Sequence, residues 1–250
     1  IGLHANDLGR LFTIAYALLL FSWVALRHVG YRILVAACMA LAVIALMLTF
    51  SRGAFVGFIG VNVLFLIWQR SIKTLIGFVL LAAIALLVLP AEVYDRATVG
   101  MGQGVNAISA GRVETLWLPL LPEVVRSPIY GSGLGSMMWS ETMHSGGGVS
   151  VLQATHPHNA YLQALLDLGS VGLLVLCGYF VHVWRGFRTL YRDAQLTPVM
   201  RGFFQGAAAG MLSLAVANLS DGSLLPRPEQ VFLWLAIGMM YGLLRKRLAK

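Results

Sequence analysis

The sequence predicts an all-α membrane protein, a polytopic bundle of about seven transmembrane helices with one long outer loop that contains short amphipathic helices. The chain is 58% hydrophobic and only 11% charged, so its polar residues are too few to cover a soluble globule of 250 residues. Long apolar runs recur along the chain, and no segment alternates as a barrel strand would. Basic residues fall in alternate loops, which agrees with the helix count.

Seven apolar runs approach or reach the roughly 20 residues that a helix needs to cross the hydrocarbon. They are residues 11–26, 33–50, 54–68, 74–89, 165–184, 203–219 and 231–244. The fourth run is apolar on every side, as is typical of a lipid-exposed helix. Gly53, Gly57 and Gly60 give the third run a smooth face on which another helix is expected to pack closely.

Orientation follows from the basic residues. Twelve of the eighteen lie in alternate loops, which the positive-inside rule places in the cytoplasm. The other side holds six arginines, no lysine and nine of the ten acidic residues. The arginines are Arg10, Arg52, Arg96, Arg112, Arg126 and Arg227. The net charge of +8 is thus explained by loop anchoring at the lipid bilayer, and no nucleic-acid partner is expected.

The predicted organisation has three parts: helices one to four in residues 1–90, an outer catalytic loop in residues 91–158, and helices five to seven in residues 159–250. A loop of this length is too long for a connector. Within it, residues 112–125 are expected to form an amphipathic helix that Ser127-Pro128 ends. The glycine-rich residues 131–135 fit either a phosphate-binding nest or a plain turn. Because the chain opens on Ile1, we expect an internal or C-terminal portion of a longer protein, and the family resemblance given below favours the C-terminal portion.

Five motifs follow one another in residues 49–184. They are Thr49-Phe50-Ser51-Arg52-Gly53-Ala54; Gly111-Arg112 with Trp117; Ser127-Pro128-Ile129-Tyr130-Gly131-Ser132-Gly133-Leu134-Gly135; His156-Pro157-His158-Asn159-Ala160-Tyr161-Leu162-Gln163; and Leu168-Gly169-Ser170-Val171-Gly172. In this order they resemble the O-antigen ligase and polymerase family of bacterial envelope glycan enzymes.

The resemblance implies an inverting glycosyl transfer without metal or cofactor at the periplasmic face of the bacterial inner membrane. The donor would be an O-antigen or related polysaccharide on undecaprenyl diphosphate, and the acceptor a hydroxyl of lipid A–core. Arg52 and Arg112 would hold the diphosphate and His158 would be catalytic. His156, Asn159 and Gln163 would complete the substrate-binding site.

The residue chemistry is compatible with these roles. An arginine fork donates two parallel hydrogen bonds to phosphate and stays charged at any working pH. For Arg52 the alternative is a snorkelling interfacial side chain. For Arg112 it is a solvated surface residue or an ion-pair partner of Glu114. Imidazole titrates near neutral pH, so His158 can assist deprotonation of an acceptor hydroxyl.

Pro157 lets the fifth helix begin at His158 or Asn159. From there Asn159, Gln163 and Asp167 recur every four residues and predict a polar stripe facing the bundle or a water-filled cavity. For His158 the alternative is an interfacial or helix-capping histidine. His156 is the alternative base, or else a metal ligand together with His158 and His144, although a zinc site requires a further well-spaced ligand and a water.

A carboxylate base and three further protein classes also fit these residues. Asp167, Glu114 and Glu141 are carboxylates near the expected site, although Asp167 lies about two turns into the membrane. A polymerase would use the same site with a growing glycan as acceptor. A transporter would use the intramembrane Asn62, Gln205, Asn218 and Asp167 as a path, and a nonenzymatic anchor or assembly subunit is the remaining class.

Overall fold

The computed structural model describes residues 4–88, 91–100, 102–144, 155–220, 223–225 and 227–248, and these ranges contain helices and no strand. The long helices before the outer loop are α1 (Ala5–Trp23), α2 (Val29–Leu48), α3 (Arg52–Gln69) and α4 (Ile72–Val88). The loop holds α5 (Ala91–Thr98), α6 (Val105–Ile108), a π-helical turn (Val113–Trp117), α7 (Leu118–Arg126), a 3-10 turn (Ser136–Trp139) and α8 (Glu141–His144). After it come α9 (Ala160–Tyr191), α10 (Pro198–Ala217), a 3-10 turn (Pro228–Gln230) and α11 (Val231–Leu248).

Each of the seven predicted apolar runs lies largely within one long helix. Four of these helices, α2, α3, α9 and α10, are long and apolar enough to cross a membrane. The all-α membrane class is therefore confirmed. The described side chains of α4 agree with a lipid-exposed helix, since Ile76, Val79 and Leu80 are all largely exposed.

The chain divides into two compact units. The first unit comprises Ile1–Ala97, Val183–Ala217 and Arg227–Lys250, and the second comprises Thr98–His182 and Asn218–Pro226. The second unit thus joins most of the outer loop to the first part of α9 and to the segment that follows α10.

In the first unit, α1 packs against α2, α3 and α10. Small residues on α10 permit this packing: a Cβ on Gly206 would lie 2.5 Å from the Ala17 carbonyl oxygen, and one on Gly202 would lie 2.3 Å from that of Phe21. Close backbone approach at small residues is the usual way in which membrane helices associate.

The smooth face predicted for α3 can be compared with the structure at Gly57 and Gly60, and another helix packs closely on only one of these two glycines. A Cβ on Gly57 would lie 2.5 Å from the Ser213 hydroxyl oxygen, so this glycine is a packing residue. Among the described residues, no atom lies within 4 Å of a Cβ built on Gly60, so the packing role expected of this glycine is wrong. The two positions lie three residues apart, about 300° around a helix, and only one of them faces α10.

Candidate active site in the outer loop

The predicted amphipathic helix is present in the second unit. The π-helical turn continues into α7, which ends at Arg126, directly before Ser127-Pro128 as predicted. Its apolar face carries Leu116 and Leu120, which are buried against Met137, Leu162 and Leu166. The segment that begins beside Arg112 is therefore packed on the outer part of α9.

Helix α9 is broken at Gly169, where φ is 67° and ψ is −170°. The break frees two carbonyls and two N–H groups from the helical hydrogen-bond ladder. The glycine-rich segment enters the break and pairs with all four. The hydrogen bonds run from Ser132 N to Leu166 O (2.8 Å), Gly133 N to Asp167 O (3.0 Å), Ser170 N to Pro128 O (2.8 Å) and Val171 N to Ile129 O (3.2 Å). Two of the five motifs thus form one interlocked joint.

This joint decides between the two interpretations of residues 131–135. The N–H groups of Gly131, Ser132 and Gly133 all donate to carbonyls within the chain, that of Gly131 to Ser127 at 3.0 Å. A phosphate nest needs such groups to point at the ligand. The plain-turn interpretation is the one that the structure supports.

Asp167 belongs to the same joint. Its side chain is buried, and its Oδ1 accepts hydrogen bonds from the Ser136 backbone N (3.1 Å) and hydroxyl (2.9 Å). A carboxylate engaged in this way holds the 3-10 turn against α9, and this contact identifies a structural role for Asp167 that the sequence did not reveal. Another candidate base, Glu141, is ion-paired with Arg126.

The remaining members of the polar stripe have different partners. Asn159 caps α9, since its Oδ1 accepts from the backbone N of Tyr161 (3.0 Å) and of Leu162 (3.1 Å). The helix therefore begins at Ala160, slightly later than predicted. Gln163 lines a small cavity beside Asp167, and its buried Oε1 has no hydrogen-bond partner among the described residues. The stripe faces protein, as predicted.

His156 and His158 are brought together just before α9. Their ring centroids lie 4.1 Å apart at an interplanar angle of 49°, and both residues are half-buried. His158 adopts a left-handed backbone conformation, with φ of 51°. Between them Pro157 is buried, and its carbonyl accepts a 2.9 Å hydrogen bond from the Trp117 indole. The cap of α9 is Asn159, so the alternative that His158 caps this helix is wrong.

Arg112 lies in the same unit as the histidines. Its guanidinium donates to the Ser220 carbonyl, and the neighbouring Asn218 carbonyl accepts from the Ala160 N at 2.9 Å. Arg112 and the first residue of α9 are therefore both attached to the segment that follows α10. The Arg112 side chain is half-buried, and its hydrogen bond to Ser220 gives it a structural role.

Arg52 belongs to the first unit, where it is the first residue of α3. Ser51 caps this helix through a 3.4 Å hydrogen bond from the Ala54 N, and Arg52 is half-buried. Another outer arginine, Arg10, is buried and ion-paired with Asp7. The spacing of three residues between Asp7 and Arg10 is a signal that could have indicated this pair in the sequence.

The third histidine of the loop has a separate position. His144 is the last residue of α8, and its Nδ1 lies 2.9 Å from the carbonyl oxygen of Ser140, the residue just before this helix. The His144 ring is therefore held by its own helical turn. In the part of the chain that the structure describes, no three side chains of histidine, cysteine, aspartate or glutamate are grouped as metal ligands.

A family model described as O-Antigen ligase matches residues 36–177, more than half of the chain. The chain belongs to the O-antigen ligase family. No curated protein matches the chain at a significant level. The matched region contains Arg52, Arg112, His156, His158, Asn159 and Gln163. The protein is thus a membrane enzyme of envelope glycan biosynthesis, and the O-antigen ligase family implies lipid-linked glycan substrates.

The contact between Asp167 and Ser136 gives a direct test of the joint in this O-antigen ligase family member. We expect Asp167→Ala to lower the free energy of unfolding by about 2–3 kcal/mol, because the backbone N–H and the hydroxyl of Ser136 lose their shared acceptor in a buried place. Ser136→Ala removes only the hydroxyl and should cost about 1 kcal/mol. Equilibrium unfolding in detergent, with both single variants and the double variant, measures the coupling. Fully additive single effects would contradict this contact.

Proposed function

We propose that the protein transfers a glycan from an undecaprenyl-diphosphate carrier to a hydroxyl of lipid A–core, with inversion and without a metal. The observation that supports this best is the arrangement of the second unit. His158 stands beside His156 at the start of α9, Trp117 fixes the intervening Pro157, and Arg112 is tied to the same region. Family membership supports the reaction class, and this arrangement supports the residues that we assign to it.

In the proposed reaction the acceptor oxygen attacks the anomeric carbon while its proton passes to the His158 imidazole. The bond from the anomeric carbon to the diphosphate oxygen breaks, and the lipid diphosphate leaves with the bonding electron pair. A single displacement of this kind inverts the anomeric configuration. His158 acts as the general base, and Asn159 and Gln163 are assigned to the substrate beside it.

Negative charge grows on the diphosphate as this bond breaks. Arg52 and Arg112 are proposed to stabilise that charge, because fixed guanidinium groups at a developing anion lower the barrier without reorganisation. The bond from Arg112 to the Ser220 carbonyl holds the guanidinium in the unit that carries the two histidines. We assign His156 to substrate binding, since its ring packs on that of His158.

The proposed topology follows the charge pattern. We infer seven spans formed by α1 to α4 and α9 to α11, in the bacterial inner membrane, with the site at the periplasmic face. Twelve basic residues in alternate loops support this orientation. All residues assigned to substrate then lie on the outer side.

Three of the four polar residues that the transporter alternative would use have hydrogen bonds within the fold. Asn62 accepts a 2.7 Å hydrogen bond from the Tyr16 hydroxyl and donates to the Phe58 carbonyl. Asp167 is held by Ser136, and the Asn218 amide donates to the Ser223 carbonyl at 3.3 Å. The match to the O-antigen ligase family favours glycan transfer over transport. A polymerase remains the second candidate, because it would use the same histidines and arginines with another acceptor.

The decisive experiment is a transfer assay with purified donor and EDTA in the presence of the bilayer. Lipid A–core and a second carrier-linked glycan are offered as separate acceptors to the intact protein. Product on lipid A–core supports the ligase. Product only on the second glycan would change the assignment to polymerase, and no product from well-folded protein on either would contradict both.

Arg52→Lys tests the diphosphate role. A point charge replaces a planar fork, so we expect transfer to fall by about 10-fold or more while folding is retained, equivalent to at least about 1.4 kcal/mol of barrier. The matched control is Arg27→Lys, at an exposed position between α1 and α2. Initial rates at several donor concentrations measure the effect. Equal rates for the two variants would remove Arg52 from the site.

A further inference from the structure

Residues 127–139, which we name the wedge, contain no charged residue and no histidine. Their largest side chains point outward rather than into a core: Trp139 is 79% exposed, Tyr130 78%, Leu134 69% and Ile129 52%. A cluster of exposed aromatic and aliphatic side chains of this kind marks an interaction surface. Its partner can be inferred from the place where the wedge is attached.

The wedge is attached to a helix that can cross the membrane. Its four backbone hydrogen bonds reach residues 166–171 of α9. The apolar run of that helix is residues 165–184, about 30 Å long at ~1.5 Å per residue, so the joint lies within about 10 Å of the outer end of the run. The depth of the wedge is therefore fixed by backbone contacts with α9.

At this depth, the break in α9 is energetically tolerable only if the wedge satisfies the backbone groups that it frees. Free carbonyl and N–H groups in a lipid-exposed helix would each cost several kcal/mol, so broken backbone near the hydrocarbon must be satisfied by protein. Residues 128–133 supply those partners. Leu134 also lines a cavity with Leu168 and Leu176 of α9, which places its side chain next to the apolar run.

The uncharged wedge is flanked by a charged residue near each of its two ends. Arg126 precedes it and Glu141 follows it, and the two side chains form an ion pair. The hydrogen bond to Glu141 raises the pKa of the Arg126 guanidinium. The nearest charges on either side of the wedge are thus paired with each other, and the exposed surface of the wedge itself is neutral. The preceding helix α7 continues the apolar surface, since Leu118, Leu121 and Val125 are exposed along one side.

From these observations we propose that the wedge inserts into the interfacial layer of the lipid bilayer and anchors the outer loop at the membrane surface. Tyr130 and Trp139 lie at headgroup level, where amphipathic rings are favoured, and Ile129 and Leu134 lie below them. Because the wedge is uncharged, its insertion requires no anionic lipid. The anchor holds the loop that carries Arg112 at a fixed height above the membrane.

Fluorophore accessibility tests this proposal without reference to glycan transfer. Cys38 and Cys177 are replaced by alanine, and single cysteines are placed by Tyr130→Cys, Leu134→Cys and Trp139→Cys in the full chain. Each is labelled with an environment-sensitive dye in nanodiscs of zwitterionic lipid. Quenching by iodide is compared with quenching by spin-labelled lipid. Leu174→Cys on α9 is the lipid-facing control, and Gln103→Cys is the aqueous control, both at exposed positions.

We expect the three wedge positions to be quenched by lipid like Leu174→Cys and to be at least threefold less accessible to iodide than Gln103→Cys. Iodide quenching equal to that of Gln103→Cys at all three positions would overturn the proposal. Protection that arises only after addition of a glycan acceptor, or only at high protein density, would assign the surface to substrate or to a second copy instead. Three independent positions keep the test valid if one variant fails to fold.

Discussion

Replacing Gly169 with alanine is expected to detach the glycine-rich segment from α9 and to lower the free energy of unfolding by at least about 3 kcal/mol. An added Cβ would lie 2.3 Å from the Ile129 carbonyl oxygen and 2.5 Å from the Gly131 N. Both are backbone atoms and cannot rotate away. The left-handed φ of 67° adds strain for any residue with a Cβ.

Thermal unfolding in detergent measures this loss, and limited proteolysis reports whether residues 127–139 become accessible. The matched control is Gly178→Ala in the same helix, where an added Cβ meets no atom of the described residues within 4 Å. Gly131→Ala approaches the joint from the other side, with its Cβ 2.5 Å from the Asp167 carbonyl carbon and the Leu168 N. An unfolding midpoint for Gly169→Ala equal to that of Gly178→Ala would contradict the proposed joint.

His158→Ala should reduce glycan transfer at saturating substrate by at least about 100-fold, the lower limit typical of a lost general base. Folding should be retained, because the Trp117 bond to Pro157 and the Asn159 cap do not use the His158 side chain. The loss should fall mainly on kcat, since diphosphate binding is assigned to the arginines. Initial rates as a function of acceptor concentration separate kcat from KM.

Two histidine variants accompany this measurement. His28→Ala, at an exposed position before α2, controls for the loss of an imidazole far from the outer loop in sequence. His156→Ala distinguishes the two neighbouring rings. If His156→Ala abolishes transfer and His158→Ala does not, the base is His156, and wild-type rates for both would remove the histidines from catalysis.

Much of the fold was predictable from local sequence. Hydropathy located seven long helices, because the requirement for apolar surface in lipid is imposed on each segment separately. Ser127-Pro128 marked the end of α7, since proline restricts the residue before it. The family was predictable because its motifs occur in a fixed order, and the match over residues 36–177 confirmed it. The roles of Arg52, Arg112, His156, His158, Asn159 and Gln163 remain predictions.

The sequence by itself determined the membrane class, the helices and the family, since hydropathy, proline and motif order are properties of neighbouring residues. Only the tertiary structure decided what Gly131, Gly169 and Asp167 do. Their roles depend on a contact between segments more than 30 residues apart, where two broken stretches of backbone satisfy each other. No local periodicity indicates such a pairing, because the backbone groups of residues 128–133 and those at the break in α9 are satisfied only when the two segments are in contact.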